Sequence, residues 1–361
     1  MTIVQLGSRS LCVTIVQKVV IMPILVATDR EVIVIDVERG ASVSARGISD
    51  RPTCLAADPL VHGRAWCGTH RDGVFRSDDG GRSWRSVGLA GRLIMAIAAS
   101  PVERDVVWVG TEPSEVWRSA DAGTTWEQTS RLETLSSSSE WSFPPRPDTH
   151  HVRWIACHPL EPERLWVAIE AGALVSTIDG GRTWRDRVAF GPWDTHELAV
   201  HRNAPDTLRV SAGDGYFESD DAGATWRSPS TGLEVGYLRS VAIDPGQPDV
   251  VVVSASSGPY SAYMAGRSDG RLYRRHTHER SSTGLRAPRA EAEGRWERVR
   301  DGWPEAPSTI APLLCAGAKA GELWAADERG VHRSDDAGKS WRRAIGYSTS
   351  PQHLRGLALL Q

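Results

Sequence analysis

The sequence predicts an all-β fold, a seven-bladed β-propeller of four-stranded blades. Three observations support this prediction. The pattern Ser/Thr-x-Asp-x-Gly-x-Ser/Thr-Trp occurs five times along the 361 residues. Around each copy, short runs rich in Val, Ile, Ala and Trp alternate with turn residues, as expected of hairpins repeated along a chain. The two ends of the chain also complement each other as two parts of one blade.

The repeated pattern has the chemistry of a tight turn. Its aspartate can bond nearby backbone N–H groups, and the glycine two positions later tolerates a positive φ. The tryptophan begins the returning strand and packs its ring against the neighbouring sheet. We therefore predict that each copy joins the third and fourth strands of a blade and that its aspartate is structural. The five aspartates are Asp79, Asp121, Asp179, Asp221 and Asp336.

Six complete blade units follow from the spacing of these turns. Residues 94–126 show the order well, because the inner strand IMAIAASP is followed by VVWVGT, EVWRS, the turn and an outer strand. The six units comprise residues 54–87, 94–129, 152–188, 196–228, 239–299 and 310–344.

The two ends of the chain are predicted to form the seventh blade together. Residues 24–46 contain three strands but no inner strand, whereas residues 353–360, HLRGLALL, match an inner strand with nothing after it. Pairing between them would close the ring and remove the open sheet edge that each end would otherwise expose. We expect a single propeller domain, residues 22–361, preceded by a loose extension of residues 1–21.

Composition excludes several classes of protein. A net charge of −3 with 24% charged residues provides no basic surface for a nucleic acid. The five cysteines, an odd number lying mostly in apolar runs, indicate buried thiols in a reducing compartment rather than disulfides or a metal site. No segment has the ~18 uninterrupted apolar residues of a membrane span.

These observations favour a cytoplasmic monomer without a cofactor. The apolar run within residues 1–21 is broken by Gln17 and Lys18, and no small-residue cleavage site follows it. A secretory signal is the alternative interpretation of this segment.

Long insertions interrupt the repeat at three places. Residues 130–151 and 254–270 lie on connections that emerge on one face of a propeller, opposite the five turns. Residues 276–294 replace the turn of the fifth complete unit and emerge on the other face. Because loops held by a rigid scaffold often carry function, we expect function on the face that the first two insertions share.

The repeated pattern resembles the Asp-box of BNR repeats, which occur in sialidases, sortilin-type receptors and photosystem II assembly factors of the chloroplast. The chain also resembles bacterial single-propeller proteins that are often labelled glycosyl hydrolases. This resemblance covers nearly the whole chain after residue 22. It implies a propeller in which the box is a structural turn away from the active site, and it is far more specific for fold than for activity.

A sialidase would share further sequence features with its family. It would carry a Phe/Tyr-Arg-Ile-Pro segment before its first box, three arginines that clamp the substrate carboxylate, a Tyr-Glu nucleophile pair and an aspartic acid/base. The Phe/Tyr-Arg-Ile-Pro segment is missing from this sequence. Arg153, Arg239 and Arg355 could imitate the clamp, but no Tyr-Glu pair can be assigned. The relatives that cleave xyloglucan pair two propellers, and this sequence predicts one.

The inner strands predict a ring of side chains at the mouth of the central tunnel, here called the funnel. Three arginines and a histidine are expected around a common axis, and like charges gathered in this way are tolerated best where an anion binds. The alternative is that each arginine reaches solvent or pairs with a loop acid such as Asp194, Glu197 or Glu112. Aligning the inner strands on their Ala-x-Asp/His/Ser-Pro endings gives the ring positions Thr53, Met95, Arg153, His196, Arg239 and Arg355.

The two insertions on the funnel face add candidate ligand-binding residues. Aromatic rings beside carboxylates suit a sugar-like ligand, because ring faces stack while hydroxyl groups form hydrogen bonds. For Trp141 and Phe143 the alternative is that they pin the loop onto its blade. The candidates from the insertions are Trp141, Arg146, His151, Tyr260 and Tyr263.

Histidines raise the question of a metal site at the funnel. His70, His151, His196 and His353 could all approach it, and some seven-bladed propeller enzymes hold a metal with histidines from several blades. No local spacing motif supports such a site, so only convergence in space could create it. The sequence therefore predicts no metal.

Two functions remain open. The favoured one is a binding or assembly module whose funnel recognises an anionic or sugar-like small ligand or a protein segment, with no nucleic acid and no membrane as partner. The alternative is a carbohydrate-active enzyme that uses the same funnel, a sialidase-like glycoside hydrolase or lyase acting with or without a metal ion, with Asp194, Glu197 or Glu112 as acid and base. That enzyme would need two carboxyl groups about 5–5.5 Å apart for retention or about 6.5–9.5 Å apart for inversion.

Overall fold

Seven antiparallel sheets are arranged in a ring in the computed structural model, which describes residues 23–277, 294–305 and 309–360. The predicted extension, residues 1–21, lies outside the described residues, as does most of the insertion 276–294. The predicted fold class is confirmed. Within the described ranges, no helix is both long enough and apolar enough to cross a membrane.

The strands follow the predicted order within each blade. The first blade contains β1 (Ile24–Thr28), β2 (Val32–Asp36) and β3 (Ala41–Ser44). The second contains β4 (Pro52–Ala57), β5 (Ala65–Thr69), β6 (Val74–Ser77) and β7 (Arg85–Ser86). The third contains β8 (Leu93–Ala99), β9 (Val107–Glu112), β10 (Val116–Ser119) and β11 (Glu127–Gln128). The fourth contains β12 (Val152–Cys157), β13 (Leu165–Ile169) and β14 (Ala173–Thr177).

The remaining blades repeat the arrangement. The fifth contains β15 (Thr195–His201), β16 (Ala204–Ala212) and β17 (Gly215–Ser219). The sixth contains β18 (Tyr237–Asp244), β19 (Gln247–Ser256), β20 (Arg271–His276) and β21 (Glu297–Arg298). The seventh contains β22 (Leu313–Ala316), β23 (Leu323–Asp327), β24 (Gly330–Ser334) and β25 (Arg342–Gly346). The last strand of the chain is β26 (Leu354–Leu359).

Helices occur only in the two insertions of the funnel face, among the residues that the structure describes. Residues 130–151 contain two short 3₁₀ helices, Leu132–Thr134 and Ser136–Glu140. Residues 254–270 contain one turn of α-helix, α1 (Pro259–Tyr263).

The outer strands of the fourth and fifth blades are reduced to single bridges. Ser176 pairs with Arg185 in the fourth blade, and Glu218 pairs with Arg227 in the fifth. Each bridge holds two backbone hydrogen bonds, so the fourth strand is present in both blades but is short.

Ring closure occurs as predicted, between the two ends of the chain. Strand β26 pairs antiparallel with β1, and the register places Leu359 opposite Ile24 and Leu357 opposite Val26. The β1 side chains are fully buried from Ile24 to Ala27. The closing blade therefore has the order β26-β1-β2-β3, with the C-terminal strand innermost.

The five aspartate turns share one set of hydrogen bonds. In the turn after β10, Asp121 Oδ1 accepts from the Thr125 backbone N–H at 2.8 Å, and Oδ2 accepts from the Thr125 hydroxyl at 2.7 Å. Hydrogen bonds from Thr125 hold the pKa of Asp121 at about 2. Gly123 has a φ of 86°, which explains the glycine of the pattern. The same carboxylate bonds recur at Asp79, Asp179, Asp221 and Asp336.

The hydrophobic core lies between neighbouring blades. Trp66 of β5 is fully buried against Ile94, Val107 and Val109 of the third blade. The inner strands contact one another around the ring, so that the first residues of each face a common axis. In every blade the first residues of the inner strand pair with the end of the second strand, whereas the aspartate turns lie at the other end of the sheet. The funnel and the turns are therefore on opposite faces.

Candidate functional site

A cavity of about 960 Å³ occupies the funnel. Its walls are formed by the first residues of the inner strands, the ends of the second strands and both insertions of this face. All six positions that the inner-strand alignment grouped together line it: Thr53, Met95, Arg153, His196, Arg239 and Arg355.

Two arginines line the cavity without a partner among the described residues. Arg355 of β26 and Arg51, immediately before β4, are exposed and lie on adjacent blades. Within the described part of the chain, neither guanidinium forms a hydrogen bond or an ion pair. Burial and the positive charges of Arg153 and Arg51 lower the pKa of Arg355, and Asp29 offsets part of that effect. These two residues make one side of the cavity positive; the alignment did not include Arg51.

Arg239 is hydrogen-bonded to backbone carbonyls and does not present a free charge to the cavity. Its Nη1 donates to the Ala311 carbonyl at 2.7 Å and its Nη2 to the Leu354 carbonyl at 2.9 Å. The guanidinium lies 4.5 Å from the ring centroid of Tyr263. Burial, together with Arg153 and Arg355, lowers the pKa of Arg239 to about 10. Of the three predicted arginines, Arg239 is the one whose guanidinium is hydrogen-bonded to backbone carbonyls of the first and seventh blades.

Arg153 pairs with a carboxylate that the sequence analysis did not single out. Its Nε lies 3.4 Å from Oε2 of Glu170. Although burial lowers the pKa of Arg153, Tyr263 and Glu170 raise it above its ordinary value. Arg153 therefore pairs with an acid, as the alternative for the ring arginines predicted. The acid is Glu170 rather than Asp194, Glu197 or Glu112.

Glu170 is the functional candidate that sequence reasoning missed. It directly follows β13, and its Oε2 lies 2.6 Å from Nε2 of His151. Burial raises its pKa, but the bond to His151 and the charge of Arg153 lower it more, to about 2. The strand register places His70, Glu112 and Glu170 at equivalent ends of second strands. Aligning the second strands as well as the inner strands would have found it.

His196 is fully buried and points into an acidic corner of the cavity. Its Nδ1 lies 2.6 Å from the Leu238 carbonyl. Its Nε2 faces Asp194 Oδ2 at 3.7 Å, Glu170 Oε1 at 3.8 Å and the Tyr237 hydroxyl at 3.4 Å. Burial raises the pKa of Asp194, partly opposed by His196. This corner belongs to the fourth and fifth blades, across the ring from Arg51 and Arg355.

The other two acids proposed from sequence lie elsewhere. Glu112 is outside the cavity lining, and Arg146 donates two hydrogen bonds to it, one of them from Nε at 3.0 Å. This pair fastens the insertion 130–151 to the third blade. Glu197 lines the cavity and accepts a hydrogen bond from the Ser240 hydroxyl. Burial raises the pKa of Glu197 to about 8.

The aromatic candidates divide between the core and the rim. Trp141 is 5% exposed, packs in the core of the fourth blade and donates from Nε1 to the Ser137 hydroxyl at 3.0 Å. It is therefore not a ligand contact, because its ring pins the insertion onto the blade. Phe143 and Tyr263 line the cavity, and Tyr260 stands at its edge with 67% of its surface exposed. Trp193, 43% exposed, stands at the rim as well.

The four histidines considered for a metal do not converge. His70 and His151 line the cavity, but His353 does not. His151 is engaged with Glu170, and only His196 belongs to a group of three potential metal ligands in the described ranges. That group combines His196 with Asp194 and Glu170, whose facing atoms lie within 4.8 Å of one another.

The sequence matches no family model and no curated protein. Solved structures nevertheless share the propeller fold. The GH74 xyloglucanase from Xanthomonas campestris has a TM-score of 0.63 at 15% identity, covering 94% of this chain and 52% of that chain. YCF48 from Cyanidioschyzon merolae has a TM-score of 0.55 at 15% identity, covering 82% of this chain and 86% of that chain. YCF48 bound to D1 peptide has a TM-score of 0.53 at 16% identity, covering 81% of both chains.

These similarities establish the fold alone at such low identity. The chain spans about half the length of the GH74 xyloglucanase but most of the length of YCF48. Its structural neighbours therefore include glycoside hydrolases and a protein bound to a peptide.

Proposed function

We propose that the protein is a binding module whose funnel holds the carboxylate of a protein segment or of an anionic small ligand. One observation carries this proposal. Arg51 and Arg355 project into the cavity side by side, and neither has a protein partner among the described residues. Two adjacent positive charges are unfavourable unless an anion compensates them, and a carboxylate does so through paired N–H···O bonds.

The rim supports a ligand with apolar surface next to its negative group. Tyr260 and Trp193 offer exposed ring faces, and Met264 extends the same rim with 44% of its surface exposed. Aromatic residues surrounding a cationic pocket are common in protein–protein interfaces, where the rings supply area and the charge fixes orientation. The structure of YCF48 bound to D1 peptide is of the same fold, which is compatible with a peptide as ligand.

A carboxylate-dependent binding screen tests the proposal. The probes are N-acetylneuraminic acid, glucuronic acid and a random hexapeptide mixture with free or amidated C-termini, and the readout is thermal stabilisation. We expect stabilisation by at least one carboxylate probe, absent with its amide, because a ligand bound only to the folded state raises the melting temperature. The effect should disappear in Arg51→Ala/Arg355→Ala.

Arg104→Ala is the matched control for this experiment. Its side chain is 67% exposed, and its one ion pair within the described residues is a long one to Asp105, at 4.0 Å. Stabilisation that persists in the double variant, or that is lost equally in the control, would contradict the proposed role of the two arginines.

A carbohydrate-active enzyme is the second candidate, because Glu170 and Asp194 have pKa values displaced in opposite directions. The facing oxygens of the two carboxyl groups lie within 4.8 Å, close to the spacing of retaining glycosidases. The lowered pKa of Glu170 would suit a nucleophile, and the raised pKa of Asp194 would suit an acid. Release of reducing sugar from xyloglucan or of sialic acid from sialyllactose, abolished by Asp194→Asn, would establish this function. No turnover of either substrate by the folded protein would count against it.

A further inference from the structure

We propose that His196, Asp194 and Glu170 form a binding site for a divalent transition-metal ion, Zn²⁺ or Mn²⁺, in the wall of the funnel. The inference goes beyond the proposed binding module, because it does not depend on Arg51 or Arg355. One nitrogen and two carboxylate oxygens converge here from two neighbouring blades, within 4.8 Å of one another.

Each of the three groups has one atom anchored by the protein and another directed at the shared centre. His196 Nδ1 is held by the Leu238 carbonyl at 2.6 Å, leaving Nε2 to face the centre. Asp194 Oδ1 accepts from the Ala171 backbone N–H at 3.0 Å, and its Oδ2 faces His196. Metal-binding histidines and carboxylates are usually oriented by outer hydrogen bonds of this kind.

Glu170 follows the same rule. Its Oε2 lies 2.6 Å from His151 Nε2 and 3.4 Å from Arg153 Nε, while Oε1 faces His196. The outer partners thus fix the glutamate with one oxygen free on the side of the shared centre. In all three residues, one polar side-chain atom is held by a protein partner while another faces the shared centre. The arrangement is therefore preformed.

The spacing of the inward atoms fits coordination better than direct hydrogen bonding. Nε2 of His196 lies 3.7 Å from Asp194 Oδ2 and 3.8 Å from Glu170 Oε1, both longer than a hydrogen bond. Two ligand atoms that each lie about 2.1 Å from one ion, at an angle of about 110–125°, are about 3.4–3.7 Å apart. The separations of 3.7 Å and 3.8 Å from His196 Nε2 lie at and just above the upper end of this range.

The orientation of the His196 ring agrees with this arrangement. The Leu238 carbonyl can only accept a hydrogen bond, so Nδ1 of His196 donates to it, and Nε2 is the ring nitrogen that faces the two carboxylates. The Tyr237 hydroxyl also approaches Nε2, at 3.4 Å. A metal ion among the three groups would take Nε2 as its nitrogen ligand.

The donor set selects the type of ion. Imidazole suits zinc and other transition metals, whereas all-oxygen sites suit magnesium and calcium. One imidazole with two carboxylates, next to an open cavity, leaves coordination positions for water or a ligand oxygen. Zn²⁺ and Mn²⁺ are therefore expected to bind more tightly than Mg²⁺ or Ca²⁺.

Titration calorimetry on chelator-treated full-length protein tests the site directly, with ZnCl₂ and MnCl₂ as probes and MgCl₂ and CaCl₂ as comparisons. We expect one Zn²⁺ or Mn²⁺ ion per chain at the site, and at least about 100-fold weaker binding in Asp194→Asn and His196→Gln. His70→Gln should bind as the wild type does, because His70 lines the same cavity outside the group of three.

Asp194→Asn keeps the test decisive if His196→Gln fails to fold, because the side chain of Asp194 is 20% exposed whereas that of His196 is fully buried. Circular dichroism of the metal-free variants establishes that each is folded. The proposal is overturned if folded wild-type protein shows no saturable binding below about 1 mM, or if folded Asp194→Asn binds with the wild-type affinity. It is also overturned if Mg²⁺ or Ca²⁺ binds as tightly as both transition metals. Since none of these readouts involves a carboxylate ligand, failure of the arginine-based proposal leaves this one unaffected.

Discussion

Nε2 of His151 lies 2.6 Å from Oε2 of Glu170, and this contact joins the end of the inserted loop 130–151 to the wall of the funnel. The same imidazole places its Nδ1 3.5 Å from Glu112, the residue that Arg146 holds. One histidine thus stands between two glutamates, 1% exposed, and couples the loop to the second-strand ends of two blades.

Replacing His151 should loosen this connection. His151→Ala removes a hydrogen bond to the buried Glu170 carboxylate, and we expect a loss of about 1–3 kcal/mol in the free energy of unfolding. Cleavage within residues 130–151 by a protease should become faster. Urea denaturation and limited proteolysis measure both effects. The exposed His62 provides the control, because His62→Ala should change neither; equal behaviour of the two variants would contradict this prediction.

Substitution in a buried ionic network of the fifth and sixth blades is expected to lower the free energy of unfolding more than replacement of His151 does. Glu218 is fully buried and accepts from the Tyr216 hydroxyl at 2.9 Å and from Arg275 Nη2 at 2.9 Å, with Arg209 Nη1 at 3.3 Å. Glu218→Gln removes the negative charge that compensates these buried positive charges. We therefore expect the free energy of unfolding to fall by about 3–5 kcal/mol. Chemical denaturation measures the loss.

Glu161 provides the comparison for that experiment. Its side chain is 57% exposed and pairs with Arg164 on the surface, so Glu161→Gln should cost less than about 1 kcal/mol. A loss of similar size in both variants would show that burial of the network does not determine how much it contributes to the free energy of unfolding.

Ring closure makes the last strand essential to the whole domain. Deleting residues 352–361 removes β26, exposes the fully buried edge of β1 and reopens the ring. We expect loss of the cooperative unfolding transition, or a large fall in melting temperature, measured by calorimetry. Gln352→Ala, at an exposed position just before the strand, should leave the transition unchanged. A truncated chain that melts like the full chain would rule out closure as a source of stability.

Asp327 should make stability depend on pH under acidic conditions. Burial raises its pKa, but the bond to His332 and the pairing with Arg329 lower it from 3.8 to about 2 in the folded protein. A carboxyl group with a lowered folded-state pKa stabilises above the unfolded-state value and loses that contribution as pH falls from about 4 towards 2. Stability of the wild type should therefore drop through this range more steeply than that of Asp327→Asn, as measured by urea titrations at several pH values. Parallel curves would exclude this residue as the cause.

The fold could be predicted from sequence because its signals are local and repeated. Asp121 and Gly123 act within one turn, and the same turn chemistry recurs at a regular spacing along the sequence. Closure also had a sequence signal, because residues 353–360 match the inner strands that precede them.

The candidate site could be predicted only in outline. The strand alignment found which side chains surround the axis, but the partner of each depends on distant parts of the chain. Arg239 donates to Leu354, 115 residues away. This contact distinguishes a structural arginine from Arg355, which has no partner in the part of the chain that the structure describes. Trp141 illustrates another limit, since nothing in a Ser- and Pro-rich loop shows that its indole is buried.

The pairing of β1 with β26 also determines how the ring responds to mechanical force. Ile24 and Leu359 are neighbours in the antiparallel register, so the first and last strands begin and end at the same edge of the blade. A pull applied to the two ends of the chain would therefore load the hydrogen bonds between β1 and β26 one after another, as in a zipper, rather than all at once in shear. The propeller should resist heat and denaturant as a closed ring yet open at low tension, with the separation of the terminal strands as its first mechanical event.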